Sequence, residues 1–465
     1  DFALTPRYQG AGSSMVNPTR VDSLKDAMEA AELEMIGYCA GYERSGKPNK
    51  AYLDEAVSQA KMADVVILCI GLDESSESEG LDRTHIGIPA VQKQLLDAVT
   101  AANPNVVAVV SAGSVIETDW VEQCKAVVHG YLGGQAGAGA MLEVLTGWQN
   151  PCGKLAETIP LRYEDTPAAR YFPGKKQNAE YREGLYVGYR YYETASKAVR
   201  YPFGYGLSYT TFAYSDLKVN AEKVTFTLTN TGSVAGAEIA QLYVAKPDAA
   251  VFRPAKELKG FAKVFLKAGE SRTVTIPLDD KTFRYWNVTT DRWEVEGGSY
   301  QLLVGANVQD IRLTADITLP GTGAPDPYAG KDLAHYRTAH VQEVPDAEFE
   351  ALLGRPLPEE TTAIDRTMTL GELNHSRSPL CWLIAGVLTL LVRSGEKNGK
   401  PNLNILFQYN MPLRGLAQMT GGIIGEETVD GLVMEAKGFW IIGILRALVG
   451  LLQNYVANSR YQAKL

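Results

Sequence analysis

Apolar residues fall along this chain in two rhythms, and the rhythm changes part-way. Residues 65–70 are apolar without a break, and 106–111 and 126–131 read much the same way apart from Ser111, His129 and Gly130. Short unbroken runs of this kind predict strands covered on both faces. Between them the apolar positions thin to one in three or four, as at Ile88, Val91, Leu95 and Val99. That is the spacing of one face of a helix. The same spacing predicts helices over 21–31 and 52–62 and one near Trp120 and Val121, while 35–39 reads as another short strand. Strand and helix alternating at this interval predict a mainly parallel sheet with helices on both sides, an α/β/α sandwich over residues 1–207.

Near Tyr201 the period drops to two. Val224, Phe226 and Leu228 alternate with polar residues, as do Tyr300, Leu302 and Val304, and Ile311, Leu313, Ala315, Ile317 and Leu319. Turn residues such as Thr231-Gly232-Ser233 and Gly297-Gly298 separate these runs. Short alternating strands in this number predict a β-sandwich of immunoglobulin or fibronectin type over 208–320. Residues 321–328, GTGAPDPY, read as the start of a linker that continues through an acidic, helix-prone stretch to 365. Residues 366–465 read as a helical extension. Its two long apolar runs, 380–392 and 439–452, are each too short to span a bilayer. They are expected to bury against another domain or to join copies of the chain as a homo-oligomer, with a position at a membrane interface as the alternative.

Composition narrows the function. The 465 residues are 45% hydrophobic and 21% charged, enough for two or three packed domains. A net charge of −9 with no basic cluster argues against a nucleic-acid partner. The five cysteines, at 39, 69, 124, 152 and 381, follow no metal or disulfide spacing. They favour a reducing, cytoplasmic setting, and no cofactor or metal is expected. Residues 41–48 imitate a phosphate-binding loop, but Pro48 stands where a Ser or Thr must reach magnesium.

The most chemically loaded stretch is 72–88. It leaves a predicted strand and enters a predicted helix, which places it at the carboxyl edge of the sheet, where α/β folds bind ligands. It holds Asp73, Glu74, Glu77, Glu79 and Asp82, then Arg83. Crowded carboxylates repel, so one of them is expected to keep its proton near neutrality and to act as a general acid.

With its surroundings, this loop resembles glycoside hydrolase family 3. The likeness rests on Glu79-Gly80-Leu81-Asp82-Arg83 with Pro89-Ala90-Val91-Gln92, on Gly133-Gly134-Gln135-Ala136-Gly137 and on Asn150-Pro151-Cys152-Gly153-Lys154-Leu155. It continues through 183–192 and 201–209, and 253–261 (RPAKELKGF) resembles the fibronectin-like domain of such enzymes. The resemblance implies a retaining mechanism, with Glu79 as general acid/base and Glu77 as its rival. Asp82 and Arg83 would organise the loop at the substrate, Arg83 by clamping a carboxylate. Arg7 in the 7–14 loop is placed to reach a sugar hydroxyl, and a glycine-enabled tight turn explains that loop equally well. Asp119, in a Thr-Asp-Trp triplet, is read as structural. The family's nucleophile sits on a (β/α)8 barrel that is missing here, and the chain reads as starting mid-domain without its first strand. The expectation is part of an exo-acting β-glycosidase for β-linked glucosides or xylosides, inactive until the barrel is supplied. The alternative is a non-catalytic carbohydrate-binding or assembly module.

Overall fold

The computed structural model describes residues 2–174, 178–359, 364–397 and 402–462. Asp1 and part of the expected linker, 360–363, lie outside them. Three parallel strands, β1 (Val66–Gly71), β2 (Val106–Ser111) and β3 (Ala126–His129), pair in chain order with β2 central. Helices α1 (Leu24–Ala30), α2 (Lys50–Ala60), α3 (Ala90–Ala102) and α4 (Gly137–Thr146) accompany them. The central strand is the most deeply covered. Val106 and Ala108 are fully buried, and they share one core with Ile70, Leu96 and Trp120.

Two local expectations fail. Residues 35–39 join no ladder; the run contains Gly37, and Ile36 is turned to solvent. Near Trp120 there is only a 3-10 turn, Val121–Gln123, because the indole folds inward and its Nε1 donates to the Glu117 carbonyl. The structure also adds α4, which the glycine-rich stretch before it conceals in the sequence.

A short pair, β4 (Ile159–Pro160) with β5 (Val199–Tyr201), and helix α5 (Tyr189–Thr194) lead into the sandwich. One sandwich sheet orders β10-β7-β6 and the other β14-β13-β8-β9, where β6 is Phe212–Val219, β7 Lys223–Asn230, β8 Gly236–Ala245, β9 Glu257–Leu266, β10 Ser271–Pro277, β13 Gly298–Gly305 and β14 Ile311–Leu319. A separate hairpin joins β11 (Arg284–Asn287) to β12 (Arg292–Val295). The inward residues of β7 and β13 are those whose alternation stood out, and all six are buried. In β14 the same alternation gives only half-buried side chains, because β14 is an edge strand.

The two units are bolted together. Tyr186, Tyr191 and Tyr192 are buried against Phe252 and against Tyr336 and Phe349 of two later helices, α6 (Ala334–Thr338) and α7 (Asp346–Leu353). The Tyr189 hydroxyl accepts from the Leu258 amide, and the Gln241 amide nitrogen donates to the carbonyls of Gly204 and Ala306. Residues 334–353, expected to be linker, are therefore part of a packed aromatic core. Tyr336 and Phe349 supply the apolar surface that makes docking favourable.

The remaining helices are α8 (Pro379–Lys397), α9 (Leu403–Asn410), α10 (Leu413–Met419), α11 (Glu426–Ala436) and α12 (Trp440–Gln462). Helices α11 and α12 approach so closely that a Cβ on Gly431 would lie 2.4 Å from the Ala447 nitrogen, and one on Gly443 2.5 Å from the Glu435 nitrogen. The second apolar run is longer as a helix than it reads in the sequence. Residues Trp440–Tyr461 are long and apolar enough to cross a membrane by length and composition.

Candidate functional site

The acidic loop leaves β1 at the edge where Ser111 ends β2 and Gly130 follows β3. Its departure is fixed from two sides. The Gly71 amide donates to Gln92 Oε1 of α3 at 2.8 Å, with Gln92 buried, and the Leu72 amide donates to the Ser111 carbonyl. Gly71 has φ of +146°, and a Cβ there would lie 1.9 Å from the Ser111 oxygen, so only glycine fits the exit from the strand.

The carboxylates of the loop are not crowded together; Asp73, Glu74, Glu77 and Glu79 are each turned to a different partner. Asp73 is buried, and its Oδ1 accepts from the amides and hydroxyls of both Ser75 and Ser76, closing a tight turn. Glu74 pairs with Arg7 at 3.1 Å. Glu77 is half-buried, and its Oε2 accepts from the Gly113 amide at 2.9 Å. Glu79 is exposed, and its Oε2 accepts from the Ser13 amide at 2.5 Å, while its own amide donates to the Ala11 carbonyl. Gly12 lies so close over this side chain that a Cβ would overlap Glu79.

This arrangement corrects the electrostatic expectation. Hydrogen bonds from Ser13 favour the ionised form of Glu79 and hold its carboxyl below the usual carboxylate range. The carboxyl that is pushed up is Glu157, outside the loop. Its cause is burial first, opposed by the neighbouring Tyr131 hydroxyl and reinforced by the charge of Glu77. Beside it, burial lowers His129 and raises Tyr131 to about 12. The rings of His129 and Tyr131 stack at 4.0 Å between centroids.

Two of the basic residues also act differently from their expected roles. Arg83 clamps no carboxylate: its Nη1 donates to Ser114 Oγ and to the Val115 carbonyl, both at 2.8 Å, and so ties the loop to the turn after β2. Arg7 is not presented to solvent. It is 2% exposed, and its Nη2 donates to the Glu77 carbonyl from beneath the loop. A guanidinium in that position balances the negative charge above it. Asp82 is exposed. Asp119, exposed on the surface, pairs with Lys93 at 2.5 Å. Gln92 and Glu157 are the residues whose part in this region sequence reasoning missed. Gln92 stood in the Pro-x-x-Gln motif, and nothing local marked Glu157.

A cavity of about 60 Å³ lies next to the loop, lined by Arg7, Tyr8, Asp22, Ser111, Gly130 and Tyr131 among others. It has room for about two waters and none for a pyranose ring. Glu79 instead faces outward, on open surface. Among the described residues no group of His, Cys, Asp and Glu could hold a metal ion.

Comparison with known proteins accounts for this architecture. Residues 2–209 match the glycosyl hydrolase family 3 C-terminal domain, and 238–308 the fibronectin type III-like domain. An exo-alpha-(1->6)-L-arabinopyranosidase of Bifidobacterium breve is 46% identical over 334 residues, covering 70% of this chain and 44% of that protein. Thermostable beta-glucosidase B of Acetivibrio thermocellus is 40% identical over 444 residues, covering 93% of this chain and 54% of that one. The crystal structure of a family 3 beta-glucosidase from Bifidobacterium adolescentis superposes with a TM-score of 0.67 at 41% identity, covering 82% of this chain and 52% of that chain. The chain thus spans about half the length of the relatives it matches. It belongs to glycoside hydrolase family 3, of which it contains the C-terminal α/β domain and the fibronectin type III-like domain.

Proposed function

We propose that this chain supplies the acid/base half of a retaining, exo-acting β-glycosidase of the β-glucosidase class, acting on O-glycosides such as β-linked glucosides or xylosides. The observation behind this reading is an outward-facing carboxylate, Glu79, at the carboxyl edge of the sheet, inside the motif Glu79-Gly80-Leu81-Asp82-Arg83. The names of the relatives, β-glucosidases and an arabinopyranosidase, support the reaction class. The attacking aspartate belongs to a (β/α)8 barrel docking over this edge, with its carboxyl about 5 to 5.5 Å from the acid, as double displacement requires. Without the barrel the chain is inactive.

In this mechanism Glu79 protonates the departing oxygen and then, as carboxylate, activates the water that frees the sugar. A bound Ser13 amide favours the wrong state for the first step. The incoming glycosidic oxygen and barrel wall must therefore displace that amide and return the proton affinity upward. Gly71, Gln92, Arg83 and Arg7 do not touch the sugar here; they fix where the loop stands. Asp82, exposed beside Arg83, is the loop residue free to meet substrate.

A second assignment within the same reading has its own support. Glu77 is half-buried at the same sheet edge, and its Oε2 accepts from the Gly113 amide at 2.9 Å. Assembled with the barrel, Glu79→Ala is expected to lose at least about 100-fold on aryl glycosides with poor leaving groups and little on those with good ones, with azide restoring part of the rate. The same profile from Glu77→Ala, with Glu79→Ala nearly normal, transfers the role to Glu77. Equal loss on both substrate classes from both variants removes the acid/base assignment altogether.

A further inference from the structure

The outer face of α12 has a pattern that nothing in this chain uses. Ile441, Leu445, Leu448, Leu452 and Tyr455 recur at intervals of four, three, four and three, and each is more than half exposed. Ile442, Val449 and Val456 flank them at intervals of seven, also exposed. A repeat of 3.5 is the seam that one helix offers to another. Helix α8 repeats the device: Leu380, Leu383, Val387 and Leu390 step by three, four and three, and all four are exposed. The two helices start side by side. The Trp440 indole donates to the Arg377 carbonyl and the Trp382 indole to that of Ser376. Past that point each packs on a different neighbour, so neither seam is covered.

We propose that the α12 seam is the two-fold interface of a dimer, formed against the same helix of a second copy in antiparallel alignment. The numbering is self-complementary. Antiparallel pairing about Leu448 sets Ile441 opposite the second copy's Tyr455 and brings Leu445 within one residue of register with its Leu452, as an isologous contact requires. The exposed side chains of the seam and its flank present on the order of 1,000 Å² per copy, against the roughly 800 Å² per partner of a standard interface.

A lipid surface fits less well. About a quarter of the way along α12, Arg446 forms ion pairs with Glu427 and Asp430 of α11, and Arg366 also pairs with Asp430. Crossing a bilayer would take these four charges into hydrocarbon. Lying on one would call for a basic flank, and among the described residues α12 has only Arg446 and Arg460.

Sedimentation velocity on the 465-residue chain tests this. The expected species has twice the 50.6 kDa of one chain at micromolar concentration. Leu445→Glu with Leu452→Glu should weaken association at least 100-fold and leave the circular dichroism spectrum unchanged. Independently of that variant's folding, Leu448→Cys should oxidise to a covalent dimer, whereas Gln453→Cys, off the seam, and the parent chain with its own cysteines should not. A monomer at every concentration overturns the proposal. So does a dimer indifferent to the double substitution, or a chain that sediments with phosphatidylcholine vesicles in place of pairing.

Discussion

The acidic loop and the C-terminal helices are opposites. In residues 72–88 four of the five carboxylates, the side chains most costly to leave alone, have partners inside this chain: serines for Asp73, Arg7 for Glu74, backbone amides for Glu77 and Glu79. In α8 and α12 the side chains that most favour leaving water, leucines, isoleucines and tryptophans, stay in it. A polar loop can be completed locally, because one hydrogen bond satisfies one group. An apolar helix face is completed only by another surface of matching area. The loop is thus finished by its own fold, and the helices await an occupant.

The strongest way to break this contrast is at the root of the loop. Gly71→Ala places a methyl group against the Ser111 carbonyl and strains a left-handed backbone. A loss of about 3–5 kcal/mol in urea denaturation is expected, in the range reserved for overpacked or strained sites. An effect below about 1 kcal/mol would mean that the loop is not anchored as described. Next comes the inner side of the helix pair. Gly443→Leu forces α12 away from α11 and should cost about 2–4 kcal/mol, with a visible loss of helical signal.

The smallest effect concerns pH. Burial raises Glu157, so the native state holds its proton more tightly than the unfolded chain. That contribution is complete at acid pH, below the unfolded value, and is lost as pH rises through the folded one. Glu157→Gln should therefore raise the melting temperature slightly at pH 8 and leave it unchanged near pH 4. An equal shift at both pH values would assign the effect to packing instead.

The sequence announced the parts of this fold whose side chains repeat. The strands β1, β2, β7 and β13 and the helix α3 could all be found from period alone. The central strand β8 could not. Its residues are buried on both faces, since Gln241 and Tyr243 are covered by the segment around Phe203 and Tyr189, and the alternation disappears. The candidate site was legible as a location and less so as an arrangement. Charge density located the loop and a family resemblance singled out Glu79. Neither showed that Ser13, 66 residues earlier, would hold that carboxylate, or that Arg7 would turn inward. Those depend on which chain segments the fold brings together, and periodicity holds no record of that. The length of the last helix was underestimated for a related reason: polar residues such as Gln453 and Asn454 extend it past the apolar run, and Asn454 holds the Gly422 carbonyl.

The tyrosines at 186–192 have one more consequence. Because Tyr189 and Gln241 stitch the parallel-sheet unit to the sandwich, while Phe252 and Tyr336 share a core with Tyr186, neither half has a clean outer skin of its own. Severing the chain near Ser208 would uncover a wall of aromatic rings on both pieces. The β-sandwich is a permanent buttress for the parallel-sheet unit, and anyone trimming this protein to a minimal unit should expect to keep it.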